Sequence, residues 1–182
     1  MNRLPTLDPA AATGKTKSLF AGIEARLGMV PNMIRVLANS PAALESYLAL
    51  NSALDRGKLG APLRERVALA VAEANGCGYC LAAHSAIGQM VGLAESELVD
   101  ARLARAEDTK TDVALKFARV LVENRGRVSD EDLDRVRAAG YSDAEITELV
   151  AEVALNLLTN YRNITAGTEV DFPQAPSLTA AA

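Results

Sequence analysis

Tryptophan is absent from this chain of 182 residues, and three phenylalanines and four tyrosines bring the aromatic share to only 4%. The core must then be aliphatic and rich in alanine and leucine, which favours helix. No strand alternation of any length occurs, so the pattern predicts an all-α fold of about eight helices in one globular domain. No run of about twenty apolar residues is present, and Met1 to Pro9 lacks an apolar signal core. Those absences predict a cytoplasmic protein with no membrane partner. A formal net charge of −4, a pI near 5.1 and the lack of a dense Lys/Arg block argue against a nucleic-acid partner.

Cysteine and histidine are just as scarce, with two cysteines and one histidine in the whole chain. All three stand together in Asn75-Gly76-Cys77-Gly78-Tyr79-Cys80-Leu81-Ala82-Ala83-His84. If residues 78 onward are helical, steps of three and four put Cys77, Cys80 and His84 on one face. Two thiols so spaced at a helix start can close a disulfide within a turn, and the positive end of the helix favours a thiolate. An imidazole one turn beyond Cys80 can take a thiol proton directly or through water. The helix end acts most on Cys77 and the imidazole most on Cys80, so these residues alone do not choose the nucleophile.

Free cysteine is often a small buried hydrophobe, yet a CxxC and a histidine on one stripe, with no others in the chain, point to function. In a reducing cytosol such a pair is catalytic more often than structural. Zinc would have Cys77, Cys80 and His84 plus a glutamate, but structural zinc sites draw ligand pairs from two segments, and no second CxxC or HxxxH occurs. We therefore expect no metal and no cofactor.

With Glu65 twelve residues before Cys77 and His84 four after Cys80, the chain resembles the carboxymuconolactone decarboxylase superfamily, in its alkylhydroperoxidase D-like (AhpD-like), peroxidase-related branch. The stretch Leu63-Arg64-Glu65-Arg66-Val67-Ala68-Leu69-Ala70-Val71-Ala72 and the ending from Asn160-Tyr161-Arg162-Asn163 to Phe172-Pro173 read alike, so the resemblance spans roughly residues 20 to 173. It implies that Glu65 and His84 relay the proton of Cys80, that Cys80 attacks a peroxide, and that Cys77 resolves the sulfenic acid into a disulfide, which a thiol or dithiol reductant reopens. It also implies a homo-oligomer, a hexamer or trimer. The best-characterised members place a second histidine where this chain has Tyr79, a departure found in many peroxidase-related members.

The superfamily's other activity, cofactor-free lactone decarboxylation, needs acid–base groups and no cysteine pair. A non-catalytic redox sensor or assembly protein would use Cys77–Cys80 oxidation to change a contact between subunits.

Taken in order, residues 1–14 read as an arm on the surface, 15–172 as the helical domain and 173–182 as a mobile tail. Gly28 ends the first helix, Ser40-Pro41 and Pro62 open later ones, and Ser129 with Asp132 and Ser142 with Glu145 predict helix caps. The Pro62 helix is apolar nearly all round and should be buried. Glu65 and Glu73 share one stripe of it, so at least one carboxylate faces tight surroundings, with His84 its natural partner and Glu73 beside the site. The last helix repeats Ile146, Leu149, Val150, Val153, Leu157, Tyr161 and Ile164 at helical period and should pack along the core. Its Asn156, Asn160 and Asn163 stripe reads first as packing or subunit contact and second as site lining.

Overall fold

In a computed structural model that describes residues 3–178, the alanine- and leucine-rich segments form nine α-helices, eight of them seven residues or longer, and no strand among the described residues. They are α1 (Gly14–Leu27), α2 (Asn32–Leu37), α3 (Pro41–Leu54), α4 (Ala61–Ala74), α5 (Gly78–Met90), α6 (Glu95–Arg102), α7 (Thr109–Glu123), α8 (Asp130–Ala138) and α9 (Asp143–Ala166). Local chemistry sets these bounds. Ser40 accepts from the Ala43 amide with Pro41 in the first turn, and reciprocal capping boxes open α8 at Ser129–Asp132 and α9 at Ser142–Glu145. Gly28 stops α1 in the left-handed region at φ 74°.

Because α4 is apolar on nearly every side, it can bury itself completely only if other helices surround it. Val67 to Ala72 are all buried, and α5, α6, α7 and α9 pack around that stretch. The main core joins α4, α6, α7, α8 and α9 through Leu69, Leu98, Leu115, Val136 and Leu149. At about 1.5–3 kcal/mol for each fully buried large aliphatic side chain, these residues anchor the bundle. A second cluster holds α1 to α3 together through Phe20, Ile23, Ile34, Leu37 and Leu44. A third, small cluster forms around Cys77, Tyr79 and Cys80, with Met33 and Phe172 against it.

The arm is tied to its own chain, with Arg35 Nε donating to the Leu7 carbonyl and Asn39 Nδ2 to that of Pro5. At the other end Arg102 Nη1 donates to the Pro176 carbonyl. The expected arm and tail include residues 1, 2 and 179–182, which lie outside the described residues.

The last helix departs from its expected face. Ile146, Leu149 and Val153 are buried, but Val150, Leu158, Tyr161 and Ile164 are exposed, and the buried side further along is Asn156, Thr159, Asn160 and Asn163. The polar stripe turns inward because partners wait for it: Asn75 Nδ2 donates to Asn160 Oδ1 at 3.0 Å, Asn156 Nδ2 donates to Glu152 Oε1 at 3.1 Å, and Asn163 meets Cys80. Buried amides with such partners escape most of the desolvation penalty that would otherwise expel them.

Candidate functional site

Gly76, at φ 64°, closes α4 and turns the chain so that Cys77 becomes the N-cap of α5. Its sulfur accepts from the Cys80 amide at 3.4 Å, at the helix end where unpaired N–H groups and the dipole favour negative charge. Cys77 and Cys80 are joined in a disulfide, with their Cα atoms 5.3 Å apart, and both residues are buried. Asn163, reaching in from α9, donates its Nδ2 to Cys80 Sγ at 3.3 Å.

One helical turn past Cys80, His84 places Nδ1 2.7 Å from Glu65 Oε2 of α4. In the neutral ring a carboxylate there favours the proton on Nδ1 and leaves Nε2 free to accept one. Burial alone would lower the imidazolium pKa, but the charge and hydrogen bond of Glu65, helped by the charge of Glu152, outweigh it and hold His84 above its ordinary value.

Beside this pair lies an ion network from α3 and its C-cap, α4 and α9, buried at Arg64 and Glu152. Arg64 Nε donates to Glu152 Oε2 at 2.7 Å, its Nη2 to Asn51 Oδ1 at 3.0 Å, and its Nη1 to Asp55. Burial raises the Glu152 pKa, with Arg64 and His84 opposing it. The Tyr47 phenol is pushed up to about 12, first by burial and then by the charges of Glu65 and Glu152.

Cys80, Glu65, His84, Glu152, Asn163 and Tyr47 line a cavity of about 280 Å³, to which Asn51, Arg64, Asn156 and Thr159 add polar groups and Met33, Ile87 and Phe172 an apolar wall. Leu27, Met29 and Met90 are exposed at its edge. A hydrogen-bonded imidazole, a disulfide and an apolar wall can together hold a small organic molecule and exchange a proton with it.

Of the four principal residues expected at the site, Glu65, Cys80 and His84 share the cavity, while Cys77 does not line it. Tyr79 stands on the cavity wall with its hydroxyl engaged, donating to Asp171 Oδ1 at 2.8 Å and accepting from the Met33 amide at 3.1 Å. Its ring meets Phe172 edge-on at 5.8 Å, and burial pushes its pKa up. It is a post that ties α5 to α2 and the C-terminal segment.

Glu73 requires a correction: it points away from the cavity and pairs with Arg102 Nε of α6 at 2.7 Å. Eight residues along a helix amount to 800° of rotation, 80° off register with Glu65, enough to aim it at another neighbour. Among the described residues, no three His, Cys, Asp or Glu side chains form a cluster fit to hold a metal. Sequence reasoning passed over Arg64, Glu152, Tyr47 and Asp171. Arg64 and Glu152 lie 88 residues apart and carry no local signal, whereas the asparagines of α9 were marked by their spacing.

Residues 41–123 match the family model described as "Carboxymuconolactone decarboxylase family". No curated protein matches the chain. Among solved structures, it is similar to an alkylhydroperoxidase AhpD core, an uncharacterized peroxidase-related protein from Ralstonia eutropha JMP134, with 24% identity, 93% of this chain and 92% of that chain covered, and a TM-score of 0.84. An uncharacterized peroxidase-related protein from Silicibacter sp. TM1040 follows at 25% identity, 92% and 89% coverage and a TM-score of 0.80. A debrominase in complex with 2,3,4-tribromopyrrole shares the fold at 20% identity, with 94% and 92% coverage and a TM-score of 0.80. The stretch from residue 41 to 123, with Glu65, the CxxC and His84 inside it, thus matches the carboxymuconolactone decarboxylase family model, and the whole chain shares its fold with peroxidase-related proteins.

Proposed function

We propose that the protein is a thiol-dependent peroxidase, with Cys80 as nucleophile, Cys77 as resolving thiol and Glu65–His84 as proton relay. The observation that carries this reading is the placement of Cys80 on the same cavity wall as the hydrogen-bonded Glu65–His84 pair. In the reduced protein His84 takes the Cys80 proton, and Asn163 donates to the resulting thiolate. The thiolate attacks one peroxide oxygen, the O–O bond breaks, and the departing alkoxide takes the proton back from His84. Cys77 then displaces water from the Cys80 sulfenic acid, which gives the disulfide. Two equivalents of thiol restore the pair.

The apolar wall and rim favour an organic hydroperoxide over hydrogen peroxide. The proposal includes a cytoplasmic homo-oligomer, a hexamer or trimer. Lactone decarboxylation, the chemistry in the family's name, has no use for a cysteine pair, and the sulfur at the cavity weighs against it. Turnover of cumene hydroperoxide, tert-butyl hydroperoxide and hydrogen peroxide with dithiothreitol, beside a thiol titration, tests the proposal. We expect cumene hydroperoxide to be consumed fastest and Cys80→Ser to be inactive. No consumption of any peroxide, with the thiols left reduced, would rule the peroxidase out.

A further inference from the structure

The two cysteines of the disulfide line different hollows. Cys80 lines the 280 Å³ cavity and Cys77 does not. Cys77 lines a separate hollow of about 200 Å³, and Cys80 does not. Tyr79 and Asn163 line both and form the wall between them. That wall is pinned, since the Tyr79 hydroxyl is held by Asp171 and the Met33 amide and Asn163 is bonded to Cys80 Sγ. A molecule held on one side lies against one cysteine and not the other.

Two features suit the second hollow to a ligand. Gly76, Gly78 and Gly167 leave bare backbone along its lining, and a Cβ built on Gly76 or Gly78 would meet nothing within 4 Å. Thr168, only 8% exposed, lines the hollow, and its buried hydroxyl has no hydrogen-bond partner. A buried polar group left so calls for a partner from outside. No acidic side chain lines the hollow, which opens at the N-terminal end of α5, where an anion is favoured.

We propose that this hollow receives the thiol that reduces the protein, and that the thiol attacks Cys77. The inference rests on the thiol chemistry argued above and assigns its reducing half to a face of its own. Displacement at sulfur runs in line, so attack on Cys77 Sγ from the hollow expels Cys80 toward the cavity. There the leaving thiolate is met by the Asn163 amide and by His84 one turn on, and a stabilised thiolate leaves faster. One thiolate R–S⁻ forms the R–S–S–Cys77 bond while the Cys77–Cys80 bond breaks. A second thiolate then attacks the outer sulfur, giving R–S–S–R and the Cys77 thiolate. Two thiols are oxidised, two cysteines are reduced, and the two thiol protons end on Cys77 and Cys80.

The test treats the oxidised protein with glutathione, quenches with excess N-ethylmaleimide and maps both cysteines by tandem mass spectrometry. Glutathione on Cys77 with maleimide on Cys80 is expected; the reverse pattern, or an even mixture, overturns the proposal. Ile164→Trp, at the hollow's exposed edge, is expected to slow glutathione reduction at least tenfold more than it slows oxidation of the reduced protein by cumene hydroperoxide. Equal slowing of both halves would contradict the assignment. Thr168→Val, which removes an unpartnered hydroxyl and so spares the fold, is expected to raise the half-saturating glutathione concentration severalfold; an unchanged value counts against the hollow. Because the mapping needs no peroxide, a protein inert to peroxides that still carries glutathione on Cys77 would overturn the peroxidase reading and leave this one standing.

Discussion

His84 is held by two opposed effects, and their balance is measurable because it is the only histidine in the chain. Burial favours the neutral ring, while Glu65 at 2.7 Å favours the imidazolium and prevails. A group whose pKa is raised on folding contributes stability that is full below its unfolded value of about 6.5 and is lost as pH rises through the folded value. Glu65→Gln removes the charge and leaves the burial, so the His84 titration should move to lower pH, and that increment of stability should vanish. NMR titration of the single imidazole, beside urea unfolding at several pH values, checks both; an unmoved titration would sever the pair's electrostatic link. Asn163→Leu should likewise shift formation of the Cys80 thiolate in the reduced protein to higher pH, read from thiolate absorbance near 240 nm. A hydrogen bond to a charged group is worth about 1.5–3 kcal/mol, so peroxide reactivity at neutral pH should fall roughly tenfold or more.

Each helix contributes a position that the others make useful. The close approach of α5 to α6 depends on Gly88, where an added Cβ would stand 2.6 Å from Leu98 Cδ2, a side chain with no exposure. Gly88→Ala should therefore cost about 1–3 kcal/mol as overpacking, measured by urea denaturation, with little change if Leu98 finds another rotamer. The buried Arg64–Glu152 pair ties α4 to α9 beside the cavity. Arg64→Met should cost about 3–5 kcal/mol by stranding Glu152, and Arg64→Met with Glu152→Met should recover much of that. A double variant as unstable as the single would show that the cost lies in lost packing and not in a stranded charge. Much of this scaffold was legible beforehand: the caps at Ser40, Ser129 and Ser142 and the long apolar stretch of α4 announced themselves through local chemistry and period. The last helix was not. A period-3.6 stripe of Ile, Leu, Val and Tyr predicts which residues share a face, but not which face the rest of the protein covers. On α9 the answer changes midway, because Asn75, Glu152 and Cys80 supply partners to the asparagine face and leave Leu158, Tyr161 and Ile164 outside.

At the scale of the whole molecule, α4 sits at the centre of the bundle and brings Glu65 up to His84 on α5, while α9 delivers Asn163 from behind. The CxxC and its histidine stood out in the sequence because cysteine and histidine are so scarce there, and Glu65 was singled out by the family resemblance. The ion network beside them was not legible, since Arg64 and Glu152 are neighbours only once the chain has folded. The fold as a whole thus places Cys80 on the cavity that Glu65 and His84 line, and Cys77 on a separate hollow beyond Tyr79 and Asn163. That asymmetry underlies the central claim, that Cys80 attacks and Cys77 resolves. Its most direct test treats reduced Cys77→Ser and Cys80→Ser proteins with one equivalent of cumene hydroperoxide in the presence of a sulfenic-acid trap such as dimedone. The account predicts a strong adduct on Cys80 in Cys77→Ser and almost none in Cys80→Ser. A strong adduct on Cys77 in Cys80→Ser, with none on Cys80 in Cys77→Ser, would contradict it and give the attack to the sulfur at the helix end.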